Sequence, residues 1–281
     1  PTPVPPSGRP PTTPGHLTLP EAHPAVSVVI PCYDQAEYLA EAVESVVGQT
    51  YVDWEIVIVD DGSPDDAAVV ADGLSAAHPD RRIRLIRQAN AGLAAARNAG
   101  IAASSGRYIL PLDADDLLMK EMLEKTVRLL DAEPGVAIAY TDQRQFGAVS
   151  RIVKTAEWDT DLQRRRNLFA ATALFRREVW YAVGGYDPAM RDGYEDWDFW
   201  LAAAERGFVG RRIPEALFGY RIKASSMHVT ARAGHRDLVE QIRAKHPEWY
   251  ASSWRRWWRW PIRAWRRLRH VIGTALRPAG R

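Results

Sequence analysis

The chain has 281 residues, of which 46% are hydrophobic and 26% are charged, and its formal net charge is +2. This composition suits one large or two small folded domains and excludes wholesale disorder. There is no run of about 20 uninterrupted apolar residues, which a membrane-spanning helix would need. The single cysteine, Cys32, excludes a disulfide framework or a thiolate zinc cluster and fits a reducing compartment.

The first half of the chain predicts alternating strands and helices. Residues 1–24 contain nine prolines and predict an extended leader without the apolar segment of a signal peptide. After it, the predicted strands are 26–30, 54–59, 83–86 and 108–112, and the predicted helices are 38–47, 65–78 and 91–103. This alternation indicates an α/β fold with a mostly parallel, doubly wound sheet, in which ligands bind beyond the carboxyl ends of the strands.

The second half is less regular. The pattern predicts helices over 120–130 and 196–206 and strands over 136–140, 169–175 and 217–221. We therefore expect one α/β domain over residues 25–230, a helical extension over 231–250, and a separate tail over 251–281.

Three acidic clusters follow predicted strands, at Tyr33-Asp34, Asp60-Asp61 and Asp113-Ala114-Asp115. Carboxylates one residue apart repel each other unless a cation lies between them. Because Mg²⁺ or Mn²⁺ takes one or two carboxylates and fills its other positions with water and phosphate oxygens, the D-x-D pattern favours a metal–phosphate site. The alternative is a solvated helix cap that uses Asp116.

The Asp60-Asp61-Gly62-Ser63 segment suits nucleoside binding. A carboxylate there can accept an N–H of a base or a ribose hydroxyl, and Gly62 permits a tight turn. An ordinary turn with Ser63 as helix cap is the alternative. The chain has no G-x-G-x-x-G after the first strand and no P-loop pattern, which disfavours dinucleotide oxidoreductases and P-loop phosphotransferases.

Four motifs in this order resemble the family 2 glycosyltransferases, which have the GT-A fold and use nucleotide sugars. The motifs are VSVVIPCYD (26–34), IVIVDDGS (56–63), NAGLAAARN (90–98) and YILPLDADD (108–116). The segments VGGYD (183–187) and EDWDFW (195–200) resemble the acceptor side of that family. The resemblance covers about residues 25–230.

The resemblance implies roles for individual residues. The positions expected to bind the nucleotide sugar are Pro31, Tyr33, Asp34, Asp61, Arg97, Asp113 and Asp115. Asp61 would bind the base, Asp113 the ribose, and Asp115, with Asp113 as second candidate, a Mg²⁺ or Mn²⁺ ion on the diphosphate. Asp196 would be the catalytic base, whereas a pair of acids favoured by the helix dipole is the alternative interpretation of Glu195-Asp196. Acceptor or diphosphate contacts are expected at Glu195, Trp197, Arg221 and Lys223.

Two positions depart from the family pattern. The family often has Asn at the position of Asp34, and it often has His at the position of Lys223. A protonated lysine cannot bind a metal, but it can neutralise phosphate as a point charge. Arg221, Lys223 and His228 are therefore predicted diphosphate contacts, with ordinary surface charge as the alternative.

The tail is strongly basic. Residues 251–281 contain nine arginines and no Asp or Glu, and subtracting these nine from the 37 basic residues leaves 28 against 35 acidic residues in 1–250. Five tryptophans lie between Trp254 and Trp265. Tryptophan and arginine together suit the headgroups of an anionic membrane, and Pro261 predicts a kink or break. The alternatives are a helix docked on the domain and, least favoured, nucleic-acid binding.

The sequence therefore predicts a metal-dependent, inverting glycosyltransferase of the hexosyltransferase type. One base without a second nucleophile predicts in-line attack by the acceptor hydroxyl. The donor would be a UDP-, GDP- or dTDP-sugar and the acceptor a cell-envelope glycan or lipid-linked saccharide. The tail predicts a cytoplasmic protein that associates with the inner face of the plasma membrane. A catalytically silent nucleotide- or glycan-binding protein and a nucleotidyltransferase are the alternatives.

Overall fold

The computed structural model describes residues 23–223 and 234–250. Almost all of the predicted leader, the segment 224–233 with His228, and the basic tail 251–281 lie outside the described residues. The prediction that the tail contacts a membrane therefore lies outside them as well.

The first half of the described chain alternates between strands and helices as predicted. Its elements are β1 (Val26–Cys32), α1 (Ala36–Val47), β2 (Trp54–Asp60), α2 (Ala67–Ala77), β3 (Arg82–Arg87), α3 (Leu93–Ala103) and β4 (Tyr108–Pro111). Every residue of β1, β2 and β4 is buried. Successive side chains of β1 enter opposite layers of the core, because Val28 packs on the side of α1 and Val29 on the side of α3.

The second half has shorter strands and more loops. Its elements are β5 (Leu117–Leu118), α4 (Met122–Ala132), β6 (Ile138–Gly147), β7 (Arg151–Val153), α5 (Thr160–Gln163), β8 (Leu174–Arg176), α6 (Arg177–Val183), α7 (Glu195–Glu205), β9 (Gly210–Ile222), α8 (His235–Lys245) and α9 (Pro247–Tyr250).

One mixed sheet joins both halves, with the order β3-β2-β1-β4-β8-β6-β9-β5 and with β7 beside β6. The pairs β2–β3, β1–β2 and β1–β4 are parallel, as predicted for the first half. Strand β8 is antiparallel to both β4 and β6, whereas β6 and β9 run parallel over ten residue pairs. The second half therefore extends the sheet with mixed pairings.

The strand predicted over 169–175 is wrong for most of its length. Only Leu174–Arg176 forms a strand. Phe169 stacks on Tyr140, with ring centroids 4.0 Å apart, and packs against Trp200 at 5.0 Å. An apolar run that covers the sheet from one side resembles a strand in sequence, because both are buried.

Candidate active site

The acidic clusters meet at the carboxyl edge of the sheet. Strand β1 lies between β2 and β4, so their carboxyl ends are neighbours. The backbone N–H of Asp61 donates to the carbonyl of Cys32 (3.0 Å). The backbone N–H of Leu112 donates to the carbonyl of Val29 (2.9 Å). The connection from β1 goes to one side and β4 lies on the other, which makes a topological switch point of the kind where α/β sheets bind ligands.

Asp61 holds the loop that leads into α3. Its Oδ1 accepts hydrogen bonds from the amide of Gln88 (2.7 Å) and the backbone N–H of Ala91 (2.9 Å), and Oδ2 accepts one from the N–H of Gly92 (2.9 Å). An ionised carboxylate offers about four acceptor positions. Asp61 therefore keeps about one position for a ligand, and its main observed contacts order the 88–92 loop.

Gly62 is required by this close approach. Its φ is +70°, and a Cβ there would lie 2.8 Å from the backbone nitrogen of Asn90. An alanine would be strained in the backbone and would collide with the neighbouring loop. The D-D-G-S motif therefore brings two loops into contact at the edge of the sheet.

Tyr33 and Asp34 are exposed beside this turn. Tyr33 is 48% exposed, and Asp34 has a left-handed φ of 54°. The N–H of Asp34 lies 3.3 Å from Oγ of Ser63, whose own N–H donates to Asp60 (2.8 Å). The turn after β1 is thus tied to the turn after β2, while Pro31 is buried within β1.

Each acid of the D-x-D segment has a different partner. Asp113 accepts a hydrogen bond from Nη2 of Arg97 (2.7 Å), and Asp115 lies 2.6 Å from Nζ of Lys223. Buried Asp116 accepts the backbone N–H of Arg221 (2.8 Å). Burial first, and then the charges of Asp113 and Asp115, raise the pKa of Asp116 well above its usual value.

The end of β9 closes the site beside α1. The guanidinium of Arg221 lies 4.6 Å from the ring of Tyr38 and donates through Nε to the carbonyl of Asp115 (2.8 Å). The ammonium of Lys223 lies 4.7 Å from the same ring and donates to Gln35 (2.9 Å). Two cations are therefore held against the D-x-D segment by contacts from β9 and α1.

Arg97 connects the D-x-D segment to the start of α7. It is 1% exposed, its Nη2 binds Asp113, and its Nη1 donates to Oε1 of buried Glu195 (2.5 Å). Burial opposes its charge, but Asp113 and Glu195 outweigh that effect and raise its pKa. Since both terminal nitrogens bind protein carboxylates, this geometry favours a positioning role over the direct nucleotide contact that the resemblance implies.

Asp196 follows Glu195 in the first turn of α7. Its carboxylate accepts hydrogen bonds from the side chain of Asn167 (2.8 Å) and from the backbone N–H of Trp197 (2.7 Å). Burial and then the charge of Glu195 raise the pKa of Asp196 to about 7, against the opposing effects of Arg97 and these two donors. A carboxylate with this pKa can accept a proton near neutral pH.

The charges of four of these carboxylates act on Tyr220. Burial raises its pKa first, followed by the charges of Asp116, Asp113, Asp115 and Asp196 in that order. An electrostatic influence of this kind requires the groups to lie close together. The D-x-D segment and Asp196 therefore both act electrostatically on the same tyrosine.

The donor set fits a metal that is shared with a ligand. No cluster of three or more metal-binding side chains occurs within residues 23–223 and 234–250. The side chains of Asp113 and Asp115 are 33% and 21% exposed. One or two carboxylates suffice for Mg²⁺ or Mn²⁺ when phosphate and water supply the other oxygens. Each of the two already meets one cation of the protein, Asp113 through Arg97 and Asp115 through Lys223.

Helix α8 is anchored on α7 behind the predicted base. Oδ1 of Asp198 lies 2.9 Å from Nε2 of His246, and its Oδ2 lies 2.6 Å from Nζ of Lys245. Nδ1 of His246 lies 3.0 Å from Glu205. Burial acts to lower the pKa of His246, but Asp198 and Glu205 outweigh it and raise the pKa to about 9.

Two asparagines were missed as site residues. Asn98 accepts the indole N–H of Trp180 and the backbone N–H of Tyr186, both at 2.9 Å, and so holds the loop before α7. It stands in the third motif beside Arg97, so the motif itself was a signal. Asn167 binds Asp196 from a segment without any sequence signal.

Comparisons with known proteins agree with this architecture. The fold matches that of the mannosyltransferase PcManGT from Pyrobaculum calidifontis, solved in complex with GDP-Man and Mn²⁺. The TM-score is 0.65 at 22% identity over 82% of this chain and 66% of that one. The fold is thus that of the GT-A glycosyltransferases.

The family is equally clear. The family model described as "Glycosyl transferase family 2" matches residues 27–196. EpsE from Bacillus subtilis (strain 168) is 32% identical over 204 residues, which cover 70% of this chain and 73% of EpsE. A chondroitin synthase from Escherichia coli is 30% identical over 66% of this chain but only 27% of its own length. The chain belongs to glycosyl transferase family 2.

Among the helices of the described segments, none combines the length and the apolar character needed to cross a bilayer.

Proposed function

We propose that this chain transfers a sugar from a nucleoside-diphosphate sugar to an acceptor hydroxyl with inversion at the anomeric carbon. The observation that carries the proposal is the Arg97 bridge. It joins Asp113, on the predicted donor side, to Glu195, the neighbour of the predicted base. Donor and base residues that are coupled through one buried cation suit a reaction in which two substrates must be aligned.

The donor would bind at the edge formed by β1, β2 and β4. The exposed ring of Tyr33 offers a face on which a base can stack, and Asp61 has one acceptor position left for a base N–H. The oxygen of Asp113 that Arg97 does not bind would accept a hydrogen bond from a ribose hydroxyl. Pro31 and Asp34 would complete the nucleoside pocket.

The diphosphate would lie between Asp115 and the end of β9. Asp115, with Asp113 as second candidate, would hold a divalent cation that neutralises charge on the departing diphosphate. Lys223 and Arg221 are held at the same carboxylate segment and would add positive charge there. Charge that is preorganised in this way stabilises the transition state without reorganisation during the reaction.

Asp196 would remove the proton of the acceptor hydroxyl. Its raised pKa of about 7 makes it a stronger base than an ordinary aspartate. Asn167 and the N–H of Trp197 fix both carboxylate oxygens, so that a lone pair has a defined direction. Glu195 and Trp197 would border the acceptor. One carboxylate without a second nucleophile supports direct displacement and inversion.

The biological acceptor would be a cell-envelope glycan or a lipid-linked saccharide. The chondroitin synthase relative supports polysaccharide synthesis as the setting, and the arginine- and tryptophan-rich tail supports attachment to an anionic membrane surface.

A donor screen with product analysis tests the function. Thermal unfolding of the full chain is followed with UDP-, GDP- and dTDP-sugars, with and without Mn²⁺, because a ligand that binds only the native state raises the melting temperature. We expect one nucleotide to stabilise the protein and its sugar to be released together with a nucleoside diphosphate. Release of pyrophosphate would identify a nucleotidyltransferase instead, and binding without turnover of any donor or acceptor would favour the catalytically silent alternative.

A further inference from the structure

A cavity of about 210 Å³ lies among α7, α8, α9 and the loop that follows α5. It is lined by Arg164, Arg165, Trp197, Val239, Arg243 and Tyr250. None of these residues belongs to the nucleotide loops or to the D-x-D segment. The cavity is therefore distinct from the predicted donor pocket.

Two of the three arginines that line the cavity form no ion pair with a carboxylate of the described residues. Arg164 is engaged, since its Nη2 lies 3.1 Å from Asp161 and its Nη1 donates to the carbonyl of Trp249 (3.2 Å). Arg165 and Arg243 are exposed, and no carboxylate of residues 23–223 or 234–250 forms an ion pair with either. The guanidinium of Arg243 lies 5.8 Å from the ring of Tyr250. Guanidinium groups in such a position suit a phosphate or carboxylate, which they bind in a bidentate manner.

The aromatic walls are held in place by hydrogen bonds. The indole of buried Trp197 donates to the carbonyl of Gln163 (2.7 Å), and the hydroxyl of Tyr250 donates to the carbonyl of Arg164 (2.6 Å). Three of the six lining residues are arginines, so positive charge stands beside two fixed aromatic rings. The combination of rings and guanidiniums suits a sugar that bears an anionic group.

The cavity and the predicted base are built from the same two segments. Trp197 lines the cavity and its N–H binds Asp196, which precedes it. Asn167 binds the other oxygen of Asp196 and lies two residues after Arg165. A molecule in the cavity would therefore contact residues adjacent in the chain to Asp196 and near Asn167, which binds Asp196.

We propose that this cavity binds the anionic group, a phosphate or a carboxylate, of a saccharide acceptor, with Arg165 and Arg243 as the recognition residues. The proposal rests on the proposed glycosyl transfer, and it makes this chain selective for an acidic acceptor glycan. Arg164 orders the cavity wall, and Trp197 and Tyr250 contact the sugar ring.

The test compares two double variants of the full chain with equal charge change. R165Q/R243Q alters the cavity, and R128Q/R206Q removes two exposed arginines from α4 and the end of α7. Calorimetry in the presence of saturating donor nucleotide measures binding of four probes. These are a glucuronic acid-containing disaccharide and its neutral glucose counterpart, and a hexose 6-phosphate and the free hexose.

We expect the wild type to prefer the anionic member of at least one pair, and R165Q/R243Q to lose about tenfold or more of that affinity. The pair that responds tells whether the group is a carboxylate or a phosphate. The control variant and the neutral probes keep wild-type values. Equal affinity of the wild type for both members of each pair, or an equal loss in R128Q/R206Q, would overturn the proposal. Donor binding in the same samples is an independent readout, so its absence would instead contradict the proposed function.

Discussion

The ammonium nitrogen of Lys223 lies 2.6 Å from Oδ2 of Asp115, the carboxylate predicted to hold the metal. The two side chains are 18% and 21% exposed, so the pair is partly shielded from solvent. A cation at this carboxylate opposes binding of a second cation, because like charges repel at short distance. The free protein therefore holds its own positive charge where a divalent cation would bind.

Replacing Lys223 tests this competition. In K223A, we expect Mn²⁺ to bind the nucleotide-free protein at least about fivefold more tightly, since the ammonium no longer neutralises Asp115. Electron paramagnetic resonance of free Mn²⁺ measures this affinity without an activity assay. The matched control is K120A, which removes an exposed lysine from the start of the α4 region. Unchanged Mn²⁺ affinity in K223A would show that Lys223 and the metal do not compete.

The ionisation of Asp196 predicts a pH dependence of transfer. A base must be ionised, and burial together with Glu195 raises the pKa of Asp196 to about 7. The turnover number is therefore expected to fall by about tenfold per pH unit below this value. D196N is expected to abolish transfer while retaining donor binding, whereas D192N, which changes an exposed acid in the segment before α7, keeps both.

Asn167 provides a second test of the same base. Its side chain donates to Asp196 and so lowers the pKa of that carboxyl. In N167A, the acid limb of the rate–pH profile is expected to move to higher pH, because the ionised form has lost a donor. A loss of rate without any movement of the limb would assign Asn167 a purely structural role.

Arg97 is expected to be important for stability as well as for activity. R97Q leaves the buried Glu195 and the half-buried Asp113 without their cation, and breaking a buried pair in this way costs about 3–5 kcal/mol. Chemical denaturation measures the change. The comparison is R87Q, which breaks an exposed pair with Asp72 and is expected to cost about 1 kcal/mol or less. Equal losses in the free energy of unfolding for R97Q and R87Q would contradict a stabilising role for the Arg97 bridge.

The contact between α7 and α8 predicts a loss of stability at alkaline pH. The pKa of His246 is about 9 in the folded protein, above the value of about 6.5 expected in the unfolded chain. The stabilisation that protonated His246 provides is therefore complete below about pH 6.5 and disappears as the pH rises through about 9. Urea unfolding measured between about pH 6.5 and pH 9 is expected to show that the free energy of unfolding falls by on the order of 2–3 kcal/mol, since one pKa unit corresponds to about 1.4 kcal/mol.

The matched variants are H246Q and H78Q. H246Q removes the buried group and is expected to flatten this pH dependence, whereas H78Q breaks the more exposed pair with Glu44 and is expected to leave it unchanged. A wild-type pH dependence that persists in H246Q would assign the effect to another group.

The sequence alone determined the family and the parallel half of the sheet, and it predicted candidate site residues. Its signals are local: β-branched runs form β1 and β2, helical spacing forms α1 and α3, and acids follow the strands whose ends meet at one edge. The roles predicted for Asp61, Asp115 and Asp196 came from the resemblance of their motifs to the family.

Only the tertiary structure decided which side chains these acids meet. Arg97 contacts Glu195 across 98 residues, and Lys223 meets Asp115 across more than 100, which no local pattern reveals. The long pairing of β6 with β9 and the burial of Phe169 beneath Trp200 are likewise non-local. Such contacts depend on three-dimensional packing, because a side chain's pKa and partners are set by its neighbours in space and not by its neighbours in sequence.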